Sequence, residues 1–562
     1  MFIQNITDAS FLINEVQYLA SPYYDLEGIA KSLVFLFSYL CSVLMIWVCV
    51  FSKTSKLWVG ILVVIFLAVW SDLFIQIAVS SRGFTKAEYA TALLNASDFD
   101  NMLAFTSEII QALFYTLLFI SVLVVLRKKI LLRLRSFTVL LIILSTFSIV
   151  YGAKQWVYYI QYPSYPAVIK MPLIAGSYHA NMAEIKPRVL DENIKPNQLS
   201  AADKNIIWII DESIGGGYLS LNGFKKETTP FLKSIANTKL SNYGIVNSVA
   251  NCSAISNLML RVGLSSHTKG VGSDFSTKKY TLPTIFQFAK RAGYKTWLFD
   301  AQADEGQLQN FLTPYDMQSI DGFRTLNTRT EDYLRDRHLL DEIAKLLDTG
   351  GNQKNFIIFV KDGAHWPYLW RYPKEEVFFK PTQDGIYEEK TVERKQELIN
   401  TYSNVVKYAV DGFFKEYVEK VGFKRALMIY TSDHGQNLLD QGSNTALTHC
   451  STDYAMPVSQ AEVPLFILGD DVSSRFPVRK DRLYSQYQIF PTVLSLMGYD
   501  KQTTSNYGET LFEGQLLSAK RWFYFGYDGD KVAFEKRNKP NMDMSGWFEG
   551  VRKGDKSFPD KI

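Results

Sequence analysis

The sequence predicts an α/β protein in two parts: a helical transmembrane bundle, then a domain with a mainly parallel sheet between helices. Three observations predict it. Long apolar blocks are confined to roughly the first 155 residues. The rest alternates short apolar runs of strand length with stretches of helical spacing. Acidic residues, some beside histidines, recur directly after the apolar runs. The chain has 562 residues, too many for one core, so more than one domain is expected.

Four blocks are long enough to span a bilayer, which takes about 20 apolar residues. They run over 32–52, 57–80 (interrupted only by Asp72), 109–126 and 136–153. Buried core helices would not be bracketed by basic clusters as these blocks are. Lys53 and Lys56 follow the first block; Arg127, Lys128, Lys129, Arg133 and Arg135 follow the third. Both loops are expected on the cytoplasmic side. The first 30 residues carry Asp8, Glu15, Asp25 and Glu27 without Lys or Arg, and are expected outside. Everything after Ala153 is then extracytoplasmic, and no cleavable signal peptide is visible. Asp72 reads first as an interfacial residue and second as a polar contact inside the bundle. The expected division is a transmembrane domain over 1–155, an interfacial linker rich in Tyr and Pro over 156–200, and a catalytic domain over 201–562.

In the soluble part, Asn205–Asp211, Lys295–Phe299, Asn355–Val360, Ala426–Tyr430 and Val463–Leu468 read as strands. Pro230–Ala236, Pro283–Ala292, Glu397–Val421 and Tyr484–Met497 read as helices, the last three ending at Gly293, Gly422 and Gly498. Apolar strands alternating with helices imply a sheet covered on both faces. Ligand sites in such sheets lie beyond the carboxyl ends of the strands. The late aromatic run Trp522–Phe525 reads as a strand.

At those strand ends stand Asp211 and Glu212, Asp300, Asp362 and His365, Asp433 and His434, and Asp470. A single acid there is usually a turn or cap residue. Several at one sheet edge, two adjacent to histidines, point to a metal site. Glu212, Asp433 and His434 offer carboxylate and imidazole ligands to a divalent cation, Zn2+ first and Mn2+ second. Such a cation activates a hydroxyl and stabilises phosphoryl charge. Ser253 and Ser256, in Asn251-Cys252-Ser253-Ala254-Ile255-Ser256-Asn257, are the candidate hydroxyls. Net charge is +4 with both signs spread along the chain, which gives no reason to propose nucleic acid as a partner.

Asp211-Glu212-Ser213, with Thr228-Thr229-Pro230 beyond it, resembles the opening metal motif of the membrane phosphoethanolamine transferases. These are similar to lipoteichoic acid synthases and, more distantly, to alkaline phosphatases and sulfatases. Ser432-Asp433-His434-Gly435 resembles their second metal motif. The segments Asp362–Pro367 and Thr448-His449 resemble their two substrate-side histidine segments. The resemblance implies an alkaline phosphatase/sulfatase-like domain. It implies Glu212, Ser253, Asp433 and His434 as metal ligands, Ser253 as nucleophile, and His365 and His449 as residues that bind the donor phosphate, protonate the leaving group or hold a second metal. It implies transfer of a phosphoethanolamine headgroup from a phospholipid such as phosphatidylethanolamine to a surface glycan or lipid. The expected location is the bacterial cytoplasmic (inner) membrane, multi-pass, with the catalytic domain facing the periplasm or cell exterior.

The sequence also departs from that family. Its usual cysteine pair around the nucleophile is missing, with Met259 at the later position, and a Cys252–Cys450 bridge is left open. Asp304 and Glu305 stand where the transferases tend to carry a basic phosphate contact. The Cys/Ser-x-Pro-x-Arg signature of formylglycine sulfatases is absent at Cys252 and Ser253. Phosphoglycerol transfer, phosphodiester hydrolysis and a non-catalytic envelope role are the competing readings.

Overall fold

The structure is a computed structural model. It describes residues 58–78, 106–129, 186–197, 205–264, 281–304, 307–326, 330–384, 390–440, 448–450 and 457–516, with short pieces elsewhere. The expected first and fourth spans lie almost wholly outside those residues, as does most of the linker. The chain divides into two compact units, one over residues 1–185 with 530–538 and one over 186–529 with 539–562.

In the first unit, helix α1 (Trp58–Ala78) packs against helix α2 (Thr106–Lys129). Val50, Phe51 and Ile65 are buried there against Phe119, Ile120 and Leu123. Outward-facing side chains of α2 such as Ile110, Phe114 and Leu118 are exposed. A helix that is apolar all round does not match a water-facing surface. Among the described residues, Ile109–Lys129 is long and apolar enough to cross a membrane, and Trp58–Phe74 is a shorter apolar helix. Asp72 is buried within this unit.

The second unit is built on a seven-stranded sheet in the order β2-β7-β6-β1-β5-β3-β4. Its strands are β1 Asn205–Asp211, β2 Leu240–Asn247, β3 Lys295–Asp304, β4 Gly322–Leu326, β5 Asn355–Val360, β6 Leu427–Ser432 and β7 Glu462–Leu468. β6, β1, β5, β3 and β4 are parallel; β7 is antiparallel to β6 and to β2. The central strands β1, β5 and β6 are buried along their whole length, which is why they read as unbroken apolar runs. The longer helices of the unit are α3 (Pro230–Ile235), α4 (Ser253–Val262), α5 (Ile285–Arg291), α6 (Arg335–Thr349), α7 (Lys395–Val405), α8 (Phe413–Lys420) and α9 (Ile489–Leu496). A π-helical stretch, Val406–Gly412, joins α7 to α8, so the single long helix expected there is one continuous rod with a wider turn. β2, β4 and α6 were not expected from the sequence.

Residues 186–197 pack on this unit: Arg188 forms a buried ion pair with Asp316 at 2.5 Å, and Asn197 N–H donates to Gly498 O. Trp522–Phe523 is a strand, paired with Met542–Asp543.

Candidate metal centre

Strand register assembles the centre. Asp211 lies opposite Ser432 in the β1–β6 ladder, so the next residues on each strand, Glu212 and Asp433, leave the sheet side by side. Val360 of β5 lies opposite Ile210, which brings Lys361 and the Asp362–His365 segment to the same edge. One ligand atom each from Glu212, Asp433 and His434 lies within 4.8 Å of the others, and all three residues are buried. His434 Nε2 is 3.4 Å from Glu212 Oε1 and 3.6 Å from Asp433 Oδ2.

Ser253 is the first residue of α4, not a loop residue. Its Oγ lies 3.0 Å from His434 Nε2 and 3.4 Å from Glu212 Oε1. The positive end of the helix dipole stands at this hydroxyl. Ser256, one turn on, is fully buried. Its hydroxyl faces the carbonyl oxygens of Asp433 (2.6 Å) and Ala250 (3.0 Å) and is turned away from the cluster.

Two glycines permit close backbone approaches near the centre, Gly363 to the Asp211–Glu212 turn and Gly435 to the backbone of Ser459 and Glu462. Gly363 has φ +47°, and a Cβ there would stand 2.1 Å from Asp211 Oδ1. A Cβ on Gly435 would stand 2.1 Å from Ser459 O. Ser213 takes a left-handed φ of +59°, uncommon outside glycine. In that conformation its N–H donates to Asp433 Oδ1 and its hydroxyl to Glu212 Oε1, at 3.0 and 2.7 Å. Tyr402 secures the same loop: its hydroxyl donates to Ser213 O and accepts from Gly215 N–H.

His449 stacks on His434, with ring centroids 4.1 Å apart. Cys450, its neighbour, is disulfide-bonded to Cys252, the residue before Ser253. The bridge left open by the sequence therefore ties the start of α4 to the His449 segment. His365 is half-buried, with Nδ1 2.9 Å from Trp366 O and its own carbonyl accepting from Arg371 Nε at 2.6 Å.

Burial opposes every charge in this cluster, and the neighbours decide the outcome. For Glu212 the hydrogen bond and charge of His434 overrule burial and hold the carboxyl well below the usual range. Burial and the Glu212 charge push Asp433 well above it. For His434, burial pulls down, but Asp433 and Glu212 lift the imidazolium to about 9. Burial and the His434 charge push the His449 ring well below its ordinary value.

Asp433 Oδ2 is buried and accepts no hydrogen bond. Such an atom is costly unless something cationic meets it. Two carboxylates, one imidazole and a hydroxyl converging on one point fit a divalent cation.

The other strand-end acids have different duties. Asp300 accepts from the N–H groups of Gln302 and Ala303, and burial raises its pKa to about 6. Asp362 is ion-paired with Arg371, and burial raises it to about 7. Asp470 pairs with Lys239 at the opposite edge, because β7 runs antiparallel and its carboxyl end points away from the centre. Gln302 went unnoticed in the sequence: its Nε2 donates to Glu212 Oε2 at 3.0 Å and to Lys361 O at 2.8 Å. A lone glutamine near a strand end carries no signal that could have marked it.

The sulfatase family model matches residues 204–499, which is more than half of the chain and includes every residue of the centre. The chain belongs to the sulfatase family. Within it, this sulfatase-family chain is 23% identical over 313 residues to the Kdo(2)-lipid A phosphoethanolamine 7''-transferase of Escherichia coli strain K12, covering 53% of this chain and 52% of that protein. It is 24% identical over 299 residues to phosphatidylethanolamine transferase Mcr-1 of Escherichia coli, covering 52% and 53%. The chain thus spans about half the length of the curated relatives it matches. Among solved structures it resembles the integral membrane protein lipooligosaccharide phosphoethanolamine transferase A (EptA) of Neisseria meningitidis. The TM-score is 0.55 at 18% identity, over 88% of this chain and 95% of that one, a likeness of fold.

Proposed function

We propose that this sulfatase-family chain is a zinc-dependent phosphoethanolamine transferase of the bacterial inner membrane. In this reading residues 1–155 anchor it through several spans, 156–200 link, and 201–562 work on the outer side. The donor is phosphatidylethanolamine and the acceptor a lipid A-type glycolipid. The names of the relatives supply the headgroup and the acceptor. The observation that carries the chemistry is the Ser253 hydroxyl, held at a helix start within reach of both His434 Nε2 and Glu212 Oε1.

Glu212, Ser253, Asp433 and His434 would hold the cation. Bound there, zinc lowers the pKa of a hydroxyl and neutralises charge on a phosphoryl oxygen. The chain supplies the rest. Ser253 Oγ attacks phosphorus and loses its proton; the bond from phosphorus to the diacylglycerol oxygen breaks, and that oxygen takes up a proton. The α4 dipole favours the negative charge developing beside Ser253. His365 and His449 would bind the donor phosphate, protonate the leaving group or hold a second metal. An acceptor hydroxyl then attacks the phosphorylated serine and restores the Ser253 hydroxyl.

The test is intact-mass spectrometry of the full chain in detergent after incubation with phosphatidylethanolamine and zinc. The expected result is a phosphoethanolamine adduct that Ser253→Ala abolishes. Diacylglycerol release at sustained turnover without acceptor would indicate a hydrolase instead. An adduct formed only with phosphatidylglycerol would make phosphoglycerol the transferred group.

A further inference from the structure

Behind the ligand cluster lies a charged group that the chemistry above does not use. Lys361 directly follows β5, and its side chain is wholly buried. Its ammonium meets Asp211 Oδ2 at 2.6 Å, Asp336 Oδ2 at 3.4 Å and the carbonyl of Ala409 in the π-helical turn at 2.7 Å. It lies 4.5 Å from the centroid of the Phe413 ring. Four elements, β1, α6, the π turn and α8, thus converge on one cation.

The two carboxylates it holds do not end there. Asp211 Oδ1 accepts the N–H of Glu212 at 3.0 Å. Asp336 accepts the N–H of Asp362 at 2.7 Å and of Gly363 at 3.3 Å, the start of the segment that carries His365. The two loops are themselves joined, Ala364 N–H donating to Glu212 O at 3.0 Å. Gln302 bridges the main-chain carbonyl of Lys361 and Glu212 Oε2, a contact independent of the lysine side chain. The main chain of Glu212 and the start of the His365 segment are therefore held by the two carboxylates that the Lys361 ammonium touches.

A buried cation between two acids is a weak source of stability, because desolvation cancels most of the attraction. Positional specificity is what such a group supplies here. We propose that Lys361, acting through Asp211 and Asp336, is a positioning residue that sets Glu212 against the His365 segment and so tunes the affinity of the centre for its metal. This rests on the reading of Glu212, Asp433 and His434 as a zinc site. Partners one step behind metal ligands typically contribute about 10–100-fold in metal affinity, and Asp211, which Lys361 holds, is such a partner.

The test uses the full chain in detergent, stripped of metal and titrated with Zn2+ against a chromogenic chelator. Three variants are compared with wild type: Lys361→Met, the charge-balanced Lys361→Met/Asp211→Asn, and the isosteric Asp336→Asn. Glu212→Gln serves as the ligand control. The expected result is an affinity loss of about 10–100-fold in the folded variants, with far-UV circular dichroism and cooperative unfolding retained. Should Lys361→Met fail to fold, the double variant and Asp336→Asn decide. Folded variants that bind zinc within about threefold of wild type would overturn the proposal and leave the zinc site standing. A wild type that binds no zinc would overturn both.

Discussion

Ser253 and Ser256 sit one helical turn apart, yet their hydroxyls face different surroundings. Ser253 Oγ is aimed at His434 and Glu212; Ser256 Oγ is taken up by backbone carbonyls. Ser253→Ala is expected to abolish turnover while thermal unfolding shifts by no more than about 0.5 kcal/mol. Ser256→Ala is expected to retain most turnover and to lose about 1 kcal/mol of stability, read by chemical denaturation. Asp300 supplies a pH-dependent case. Burial raises its pKa from 3.8 to about 6. A carboxyl whose folded pKa is raised contributes its stability below the unfolded value and loses it as pH rises through the folded one. The buried charge at neutral pH thus costs on the order of 2–3 kcal/mol. Asp300→Asn can keep the acceptor for Gln302 and Ala303. It is expected to raise the denaturation midpoint at pH 7.5 and to leave it nearly unchanged below pH 4.

At the scale of elements, a disulfide tethers α4 to the His449 segment. Cys252 and Cys450 are separated by 198 residues in sequence and adjoin Ser253 and His449. Chain entropy alone would assign so long a loop about 5 kcal/mol, whereas disulfides typically deliver roughly 2–4 kcal/mol. Replacing both cysteines by serine is expected to cost that much, measured by denaturant unfolding. Turnover should fall further than the folded fraction does, with bound zinc unchanged. The loop after β5 provides a sharper steric case. Gly363→Ala would place a methyl 2.1 Å from Asp211 Oδ1 at a φ of +47°. A loss of about 2 kcal/mol or more is expected, together with weaker metal binding, because both the strain and the clash fall on the Glu212 loop.

For the whole molecule, the ligands of the centre come from separate parts of the chain brought together by sheet register. A cation bound only by the folded state then acts as a cross-link. With zinc at about 100 times its dissociation constant, the gain is about 2.7 kcal/mol. Chelation with EDTA is expected to lower the unfolding midpoint of the full chain and zinc to restore it, while Glu212→Gln responds to neither. Exposed apolar surface long enough to cross a membrane, among the described residues, belongs to the first unit, where α2 exposes apolar side chains along its length. Deleting residues 1–155 is expected to release the catalytic unit from membranes, tested by fractionation of expressing cells.

The central strands, and the acids and histidines at their ends, were legible in the sequence. Asn205–Asp211 and Asn355–Val360 are buried on both faces, and that burial writes an uninterrupted apolar run that ends at a charged residue. The motifs around Glu212 and His434 were legible for the same reason: few residue types can hold a divalent cation, and they follow those strands directly. Edge strands left no such mark. β2 carries Ser241, Asn242 and Gly244 and bulges between Asn242 and Gly244, and β4 is five residues long. The helix α6 was legible in principle from Leu339, Leu340, Ile343 and Ala344 on one face. Packing between distant segments alone set the direction of β7, which removes Asp470 from the centre. Only it separated Ser253 from Ser256, paired Cys252 with Cys450, and placed Gln302, Lys361 and Asp336 behind Glu212. Those outcomes depend on pairing and packing between segments far apart in the chain, and local composition does not encode which distant group a side chain will meet.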